Sequence, residues 1–294
     1  MQTKQQIQQL LASAGVWPNK RYGQNFLIDL NLIRLLLETA QICDKDVVLE
    51  VGCGTGSLTE ELAAQAGKVI SVEIDSVLAK VAAKRLSAQP NAEIAIGDIL
   101  ETKHTISQTV LEKIAAARKE HKGRFLLVAN LPYSAASPTM MNLINGTVFV
   151  DAMYVTVQKE VAMRMIAEPG TEHYGSLSIM MNATGRLKLI RTLKPSVFWP
   201  QPQVDSAIIS FERDPEKAAR IADVDLFNQC INLFIGHRRK MLKACTKLAT
   251  GKLEQIQDWQ SIFEKAGIDG ELRAEEISPE QYVTLSNLCR AQVK

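Results

Sequence analysis

The sequence predicts an α/β fold, a doubly wound and mostly parallel sheet, with a smaller all-helical region after it. Three observations carry that expectation. Apolar runs at residues 47–51, 68–72, 93–96 and 125–129 alternate with helical patterns, the arrangement of βαβ units. The first run leads straight into a glycine-rich loop that opens a helix. After Arg213-Asp214-Pro215 no strand pattern remains. The expected division is residues 1–212 for the α/β domain and 213–294 for the helical one.

Composition excludes more than it assigns. Hydrophobic residues at 46% and charged residues at 22% are ordinary for a globular protein of 294 residues. A net charge of +2 selects no partner by itself. The five cysteines are scattered, with no spacing that would hold a metal, and fit free thiols in a reducing cytoplasm. The first residues are too polar for a secretory signal, and no apolar run reaches the length of a membrane span. A cytoplasmic protein acting as a monomer, with no membrane partner and no metal, is expected.

Taken in order, residues 4–15 form a short amphipathic pattern closed by Gly15. Residues 18–27 have no period and mix basic, aromatic and amide side chains around Gly23, as a surface linker does, or an arm that folds over a ligand. A helix with a Leu/Ile face follows over 29–39. The β-branched run 47–51 ends in Gly52-Cys53-Gly54-Thr55-Gly56, with a helix from Ser57 or Leu58. Strand 68–72 ends in Glu73-Ile74-Asp75, and a helix follows over 76–86. Strand 93–96 ends in Gly97-Asp98, an exposed helix covers 109–122, and strand 125–129 delivers Asn130-Leu131-Pro132-Tyr133. A helix around 138–144, a strand at 151–157, helices at 158–166 and 176–184, and strands at 187–191 and 204–211 complete the pattern. The loop 194–202 holds three prolines and two aromatic residues; it either places Phe198 or Trp199 beside the site or anchors them beneath it.

In a parallel sheet the four strand ends bearing Gly52, Glu73, Asp98 and Asn130 share one rim. Ligands bind there in open α/β sheets. The loop does not match a dinucleotide fingerprint, because position 57 is Ser; Glu50-x-Gly52-x-Gly54-x-Gly56 is the pattern of enzymes that bind S-adenosylmethionine. Glu73 suits a ribose diol, and Asp98 suits the amino group of an adenine. Asn130-Leu131-Pro132-Tyr133 then points to methylation of an adenine amino group. The Asn130 side-chain oxygen and the Leu131 carbonyl can each accept one amino hydrogen, Pro132 restricts Leu131 to extended conformations, and Tyr133 offers a face for an unstacked base.

The helical part carries a local basic cluster. Residues 226–253 contain no acid, and Arg239, Lys243 and Lys247 recur at i, i+4 and i+8, which puts them on one face of a continuous helix. With Arg238 and Lys240 beside them they read as a polyanion footprint or as a solvated face. A second acid-free stretch, 173–204, holds Arg186, Lys188, Arg191 and Lys194.

Together the motifs resemble the small-subunit ribosomal RNA adenine N6-dimethyltransferase family. The resemblance runs through Gly23-Gln24-Asn25-Phe26-Leu27, residues 49–59, 72–75, 130–133, 157–161 and 198–206, Arg238-Arg239-Lys240, Gly267-Ile268, Arg273-Ala274-Glu275 and 277–282. It implies a Rossmann-like S-adenosylmethionine-dependent methyltransferase domain and a small helical C-terminal domain that binds RNA. It also implies dimethylation of two adjacent adenines in a hairpin loop near the 3′ end of that RNA, within a pre-ribosomal small subunit. Cofactor contacts carry over to Asn25, Leu27, Gly52, Glu73, Asp98 and Asn130, with Gly54 in the same loop. The catalytic group is Asn130 to Tyr133 with Phe198. Ser134 replaces the family's usual Asn, Cys53 a common Pro, and Gln203 a Lys. A large-subunit adenine methyltransferase of the macrolide-resistance type and a non-catalytic RNA-binding assembly factor are the competing readings.

Overall fold

A computed structural model describes residues 1–19 and 22–293. Lys20 and Arg21 of the expected arm lie outside the described residues. The chain opens with α1 (Lys4–Ser13), β1 (Phe26–Leu27) and α2 (Leu30–Ala40). Then come β2 (Val47–Val51), α3 (Ser57–Ala63), β3 (Lys68–Glu73), α4 (Ser76–Arg85) and β4 (Ala92–Ile96). A small hairpin, β5 (Leu100–Thr102) and β6 (Thr105–Ile106), precedes α5 (Gln108–Glu120), β7 (Phe125–Asn130), α6 (Tyr133–Asn145), β8 (Ala152–Gln158) and α7 (Lys159–Met165). After α8 (Ser176–Thr184) come β9 (Gly185–Leu193), β10 (Phe198–Trp199) and β11 (Ser206–Arg213). The rest is helical: α9 (Pro215–Ala219), α10 (Val224–Gly236), α11 (Leu242–Cys245), α12 (Trp259–Ala266) and α13 (Pro279–Arg290).

The principal sheet has seven strands in the order β4-β3-β2-β7-β8-β11-β9. Strands β4, β3, β2, β7 and β8 are mutually parallel, and β11 returns antiparallel to β8. Every residue of β2, and all of β7 before Asn130, is buried. That is why β7 reads as an unbroken apolar run and β2 as one broken only by Glu50: a parallel sheet is covered on both faces. The order fixes the site. From β2 the chain winds outward through β3 and β4, then jumps to β7 on the other side of β2. The carboxyl ends of β2 and β7 therefore flank the topological switch point. At the opposite end Asp46 pins the two strands, accepting from Arg124 N (2.8 Å) and Arg124 Nη2 (2.7 Å).

By contact the chain divides into two units: Met1–Ala162 with Lys188–Glu212, and Met163–Leu187 with the chain from Arg213 onward. The edge at 212/213 coincides with the expected boundary, whereas 163–187, expected in the first domain, groups with the second unit. Tyr174 supplies a reason. Its ring is 1% exposed and its hydroxyl donates to Ile277 O at 2.7 Å, while Gly170 N donates to Glu275 O at 2.7 Å. Within that unit α10 buries Leu226, Phe227, Cys230, Ile231 and Phe234, and α13 buries Tyr282, Leu285 and Cys289.

Two local expectations need correction. The helix expected around 138–144 begins at Tyr133, directly after Pro132 as its N-cap residue, and Pro138 lies inside it. The basic stripe is not helical throughout. Helix α10 ends at Gly236, His237 Nδ1 lies 2.8 Å from Leu233 O, and Met241 bridges to Arg273 before α11 begins. Arg239 therefore sits in a turn, Lys243 in the short α11, and Lys247 in a 3₁₀ turn.

Candidate active site

A cleft at the switch point gathers residues from four of the five parallel strand ends. Gly52 and Gly54 follow β2, Glu73 closes β3, Asp98 follows β4, and Asn130 closes β7. Asn25, Leu27, Leu131, Pro132 and Tyr133 line the same cleft. The arm between α1 and α2 thus forms one wall, because β1 pairs with β10: Phe26 opposite Trp199, Leu27 opposite Phe198.

The glycine loop is held open by backbone and not by chance. Gly52 and Gly54 have φ of 81° and 56°, in the left-handed region where a side chain is costly. A Cβ on Gly52 would sit 3.0 Å from Pro132 Cγ, and one on Gly54 2.8 Å from Phe26 Cε1. The loop is tied to its neighbour strand by Gly54 N, which donates to Glu73 Oε2 at 2.8 Å; Asp75 N donates to Glu73 Oε1 at 3.0 Å. Burial raises the Glu73 carboxyl, and those two amide donors oppose the rise. Glu50, one strand over, is 2% exposed. Its Oε2 accepts from Thr59 Oγ1 (2.7 Å) and Ser71 Oγ (2.6 Å). Burial pushes its pKa up to about 7 against those bonds.

Asn130 is oriented before any ligand arrives. Its Nδ2 donates to Asn25 O at 2.8 Å, so the arm settles which end of the amide is the oxygen. Oδ1 is left to accept. Leu131 N donates to Thr156 O at 3.1 Å, and no donor among the described residues engages the Leu131 carbonyl. Tyr133 is the first residue of α6, and its hydroxyl lies 2.7 Å from Ser206 Oγ. Burial raises the phenol pKa, with the Ser206 bond opposing.

The cleft can therefore hold a nucleoside. Glu73 and Asp98 are carboxylates at strand ends, Ile74 and Ile99 supply apolar walls, and an uncrowded glycine backbone lies over the N-terminus of α3. Among the described residues no group of three His, Cys, Asp or Glu side chains is arranged to hold a metal ion, and no helix is long and apolar enough to cross a membrane.

Phe198 is a correction. It is 1% exposed, packs in the core with Leu27, Leu36 and Ile208, and does not line the cleft. The alternation of β10 turns Phe198 inward, and its neighbour Trp199 stacks on Phe26 with ring centroids 6.2 Å apart. Arg238, Arg239, Lys240, Lys243 and Lys247 belong to the second unit and line no part of the cleft. Arg238 pairs with Glu275 at 2.8 Å and Lys243 with Glu271; Arg239, Lys240 and Lys247 are exposed. Sequence reasoning gave no role to Ser206. Its contact with Tyr133 spans 73 positions, and only its place at the end of the resembling stretch 198–206 marked it.

Comparison with known proteins extends beyond the site. The family described as ribosomal RNA adenine dimethylase matches residues 17–291. A ribosomal RNA small subunit methyltransferase A from Geobacillus thermodenitrificans is 35% identical over 287 residues, 97% of this chain and 95% of that protein. Its counterpart from Pelotomaculum thermopropionicum is 34% identical over 284 residues, covering 96% and 94%. Among solved structures, a dimethyladenosine transferase from Plasmodium falciparum shares the fold with a TM-score of 0.72 at 23% identity, covering 88% of this chain and 95% of that one. The 23S rRNA methyltransferase ErmE gives 0.61 at 26% identity, covering 90% and 98%.

Proposed function

Because the chain belongs to the ribosomal RNA adenine dimethylase family, we propose that it dimethylates the N6 amino groups of two adjacent adenines in a hairpin loop near the 3′ end of small-subunit ribosomal RNA, with S-adenosylmethionine as methyl donor. The observation that carries the reading is the placement of Asn130 Oδ1 and the Leu131 carbonyl, two acceptors without a donor among the described residues, on the rim that also bears the glycine loop.

The cleft fits the cofactor. Glu73 would accept from the ribose hydroxyls and Asp98 from the adenine amino group. Gly52, Gly54, Asn25 and Leu27 would enclose the remainder. When bound, S-adenosylmethionine supplies an electrophilic methyl group on a sulfonium. The chain's own residues prepare the nucleophile. An adenine amino nitrogen is poor because its lone pair is delocalised into the ring. Asn130 Oδ1 and Leu131 O each accept one of its hydrogens, which pyramidalises the nitrogen and directs its lone pair. Pro132, with φ −58°, fixes where the Leu131 carbonyl points. Tyr133 supports the base through its ring. Positioning of this kind is worth several kcal/mol of barrier, roughly 7–11 in the most favourable cases. The methylated nitrogen is acidic and releases its proton to water, so no strong general base is needed.

Identities of 34–35% over nearly the full length with small-subunit enzymes favour that substrate over the large-subunit one. The protein acts as a monomer on a pre-ribosomal small subunit in the cytoplasm on this reading; its five free cysteines fit a reducing compartment. The test is incubation with labelled S-adenosylmethionine and unmethylated small subunits, followed by mapping of the modified base. Label at two neighbouring adenines near the 3′ end is expected. Asn130→Ala should lower turnover by about 10²–10³-fold, as loss of one preorganised transition-state hydrogen bond does, with cofactor binding weakened but measurable. Label elsewhere, or full activity in Asn130→Ala, would overturn the reading.

A further inference from the structure

Strand β9 is the outermost strand of the principal sheet, so among the described residues one side of its backbone is unpaired. Three cations follow its line at every third position: Lys188, Arg191 and Lys194. Lys188 and Arg191 are exposed, and Lys194 is 79% exposed. No acid occurs between His173 and Val204. Among the described residues no ion pair engages Lys188 or Arg191, and Lys194 has only Asp205, at 3.8 Å. The contrast with Arg238 and Lys243, both already neutralised by glutamates, is direct.

The Lys194 end of the track connects to the cleft wall through Asp205 and Ser206, though none of the three lines the cleft itself. Asp205, beside Lys194, precedes Ser206, whose Oγ touches the Tyr133 hydroxyl at 2.7 Å. Lys188 lies six residues back along the strand, about 20 Å away at roughly 3.3 Å per residue. Within β9, alternation sends Lys188 to one face and Arg191 to the other, so the two cations bracket the edge. Lysines on an edge also discourage strand-to-strand association, and that alone would explain their number. It would not explain why the row's near end connects to the base-holding tyrosine, or why Lys188 and Arg191 have no carboxylate partner among the described residues.

We infer that the β9 edge is a phosphate track, seating the RNA strand that leads away from the target adenine. The inference rests on the proposed function. Its test is equilibrium binding of full-length protein to unmethylated small subunits across a range of KCl concentrations. The K188Q/R191Q variant should reduce the slope of log K against log salt by about 1.4, two contacts at about 0.7 each. That corresponds to about twenty-five-fold weaker binding at 0.1 M salt. The charge-matched control K84Q/K119Q, on exposed helical positions, should leave the slope unchanged. S-adenosylmethionine affinity equal to wild type checks folding. If the pair self-associates, the single variants are read instead, each with half the slope change. An unchanged slope in K188Q/R191Q, or an equal fall in the control, overturns the track while wild-type methylation of the same subunits keeps the proposed function. Absence of wild-type binding and methylation overturns both.

Discussion

The contact between Tyr133 and Ser206 lets the proposed role of Tyr133 as a base platform be tested quantitatively. Tyr133→Phe keeps the ring and removes its hydroxyl. Ser206 is 0% exposed, so its Oγ would lose its partner where water does not reach, at a cost of about 1–3 kcal/mol. Ser206→Ala leaves the phenol at the half-buried cleft wall, where solvent can replace the lost bond, and should cost about 1 kcal/mol. The double variant removes both groups and should cost about 1 kcal/mol less than the two singles summed. Urea unfolding measures this coupling. Turnover should follow it: each single lowers the single-turnover methyl-transfer rate by about tenfold, the double by no more than the worse single, with cofactor affinity unchanged. Additive losses in both measurements would refute the idea that Ser206 acts through the tyrosine. A loss in Tyr133→Phe alone would mean that the phenol touches substrate instead.

Two further outcomes follow from the charges. Folded Glu50 keeps its proton up to about pH 7, whereas the unfolded chain releases it near 4.5. Its contribution is therefore full below pH 4.5 and lost as pH rises to about 7, at about 1.4 kcal/mol per unit; Glu50→Gln should flatten that decline in thermal unfolding between pH 5 and 7, and an unaltered profile would refute the assignment. Arg239→Gln should lower the salt slope of RNA binding by about 0.7, whereas Lys243→Gln should change it less because Glu271 already neutralises that lysine; equal effects would count against the ion pair in solution.

The rim of the candidate site was legible because it is local: each strand, its terminal polar residue and the helix after it lie within a few residues of one another. What escaped depends on distant pairing. The arm showed no period, since β1 is two residues long and finds its partner at Phe198–Trp199, far along the chain. The same pairing decides that Phe198 faces the core, which spacing could not reveal. The i, i+4, i+8 stripe was a true periodicity laid over a broken helix; Gly236 and the bridge from Met241 to Arg273 end it. Residues 163–187 look like a continuation of the α/β pattern, and only the seat of Tyr174 shows where they belong.

The bond from Asn130 Nδ2 to Asn25 O has a consequence for which purine is accepted. A carboxamide carries a hydrogen-bearing end and an oxygen end, and rotation would let it greet either kind of guest. With the hydrogen-bearing end anchored to the arm, the oxygen end is the one left to meet the incoming ring. A guanine or hypoxanthine, with a carbonyl where adenine has its amine, would set oxygen against oxygen in a partly desolvated place. On the role proposed for Asn130, 6-oxo purines are rejected by repulsion more than by a better fit to adenine.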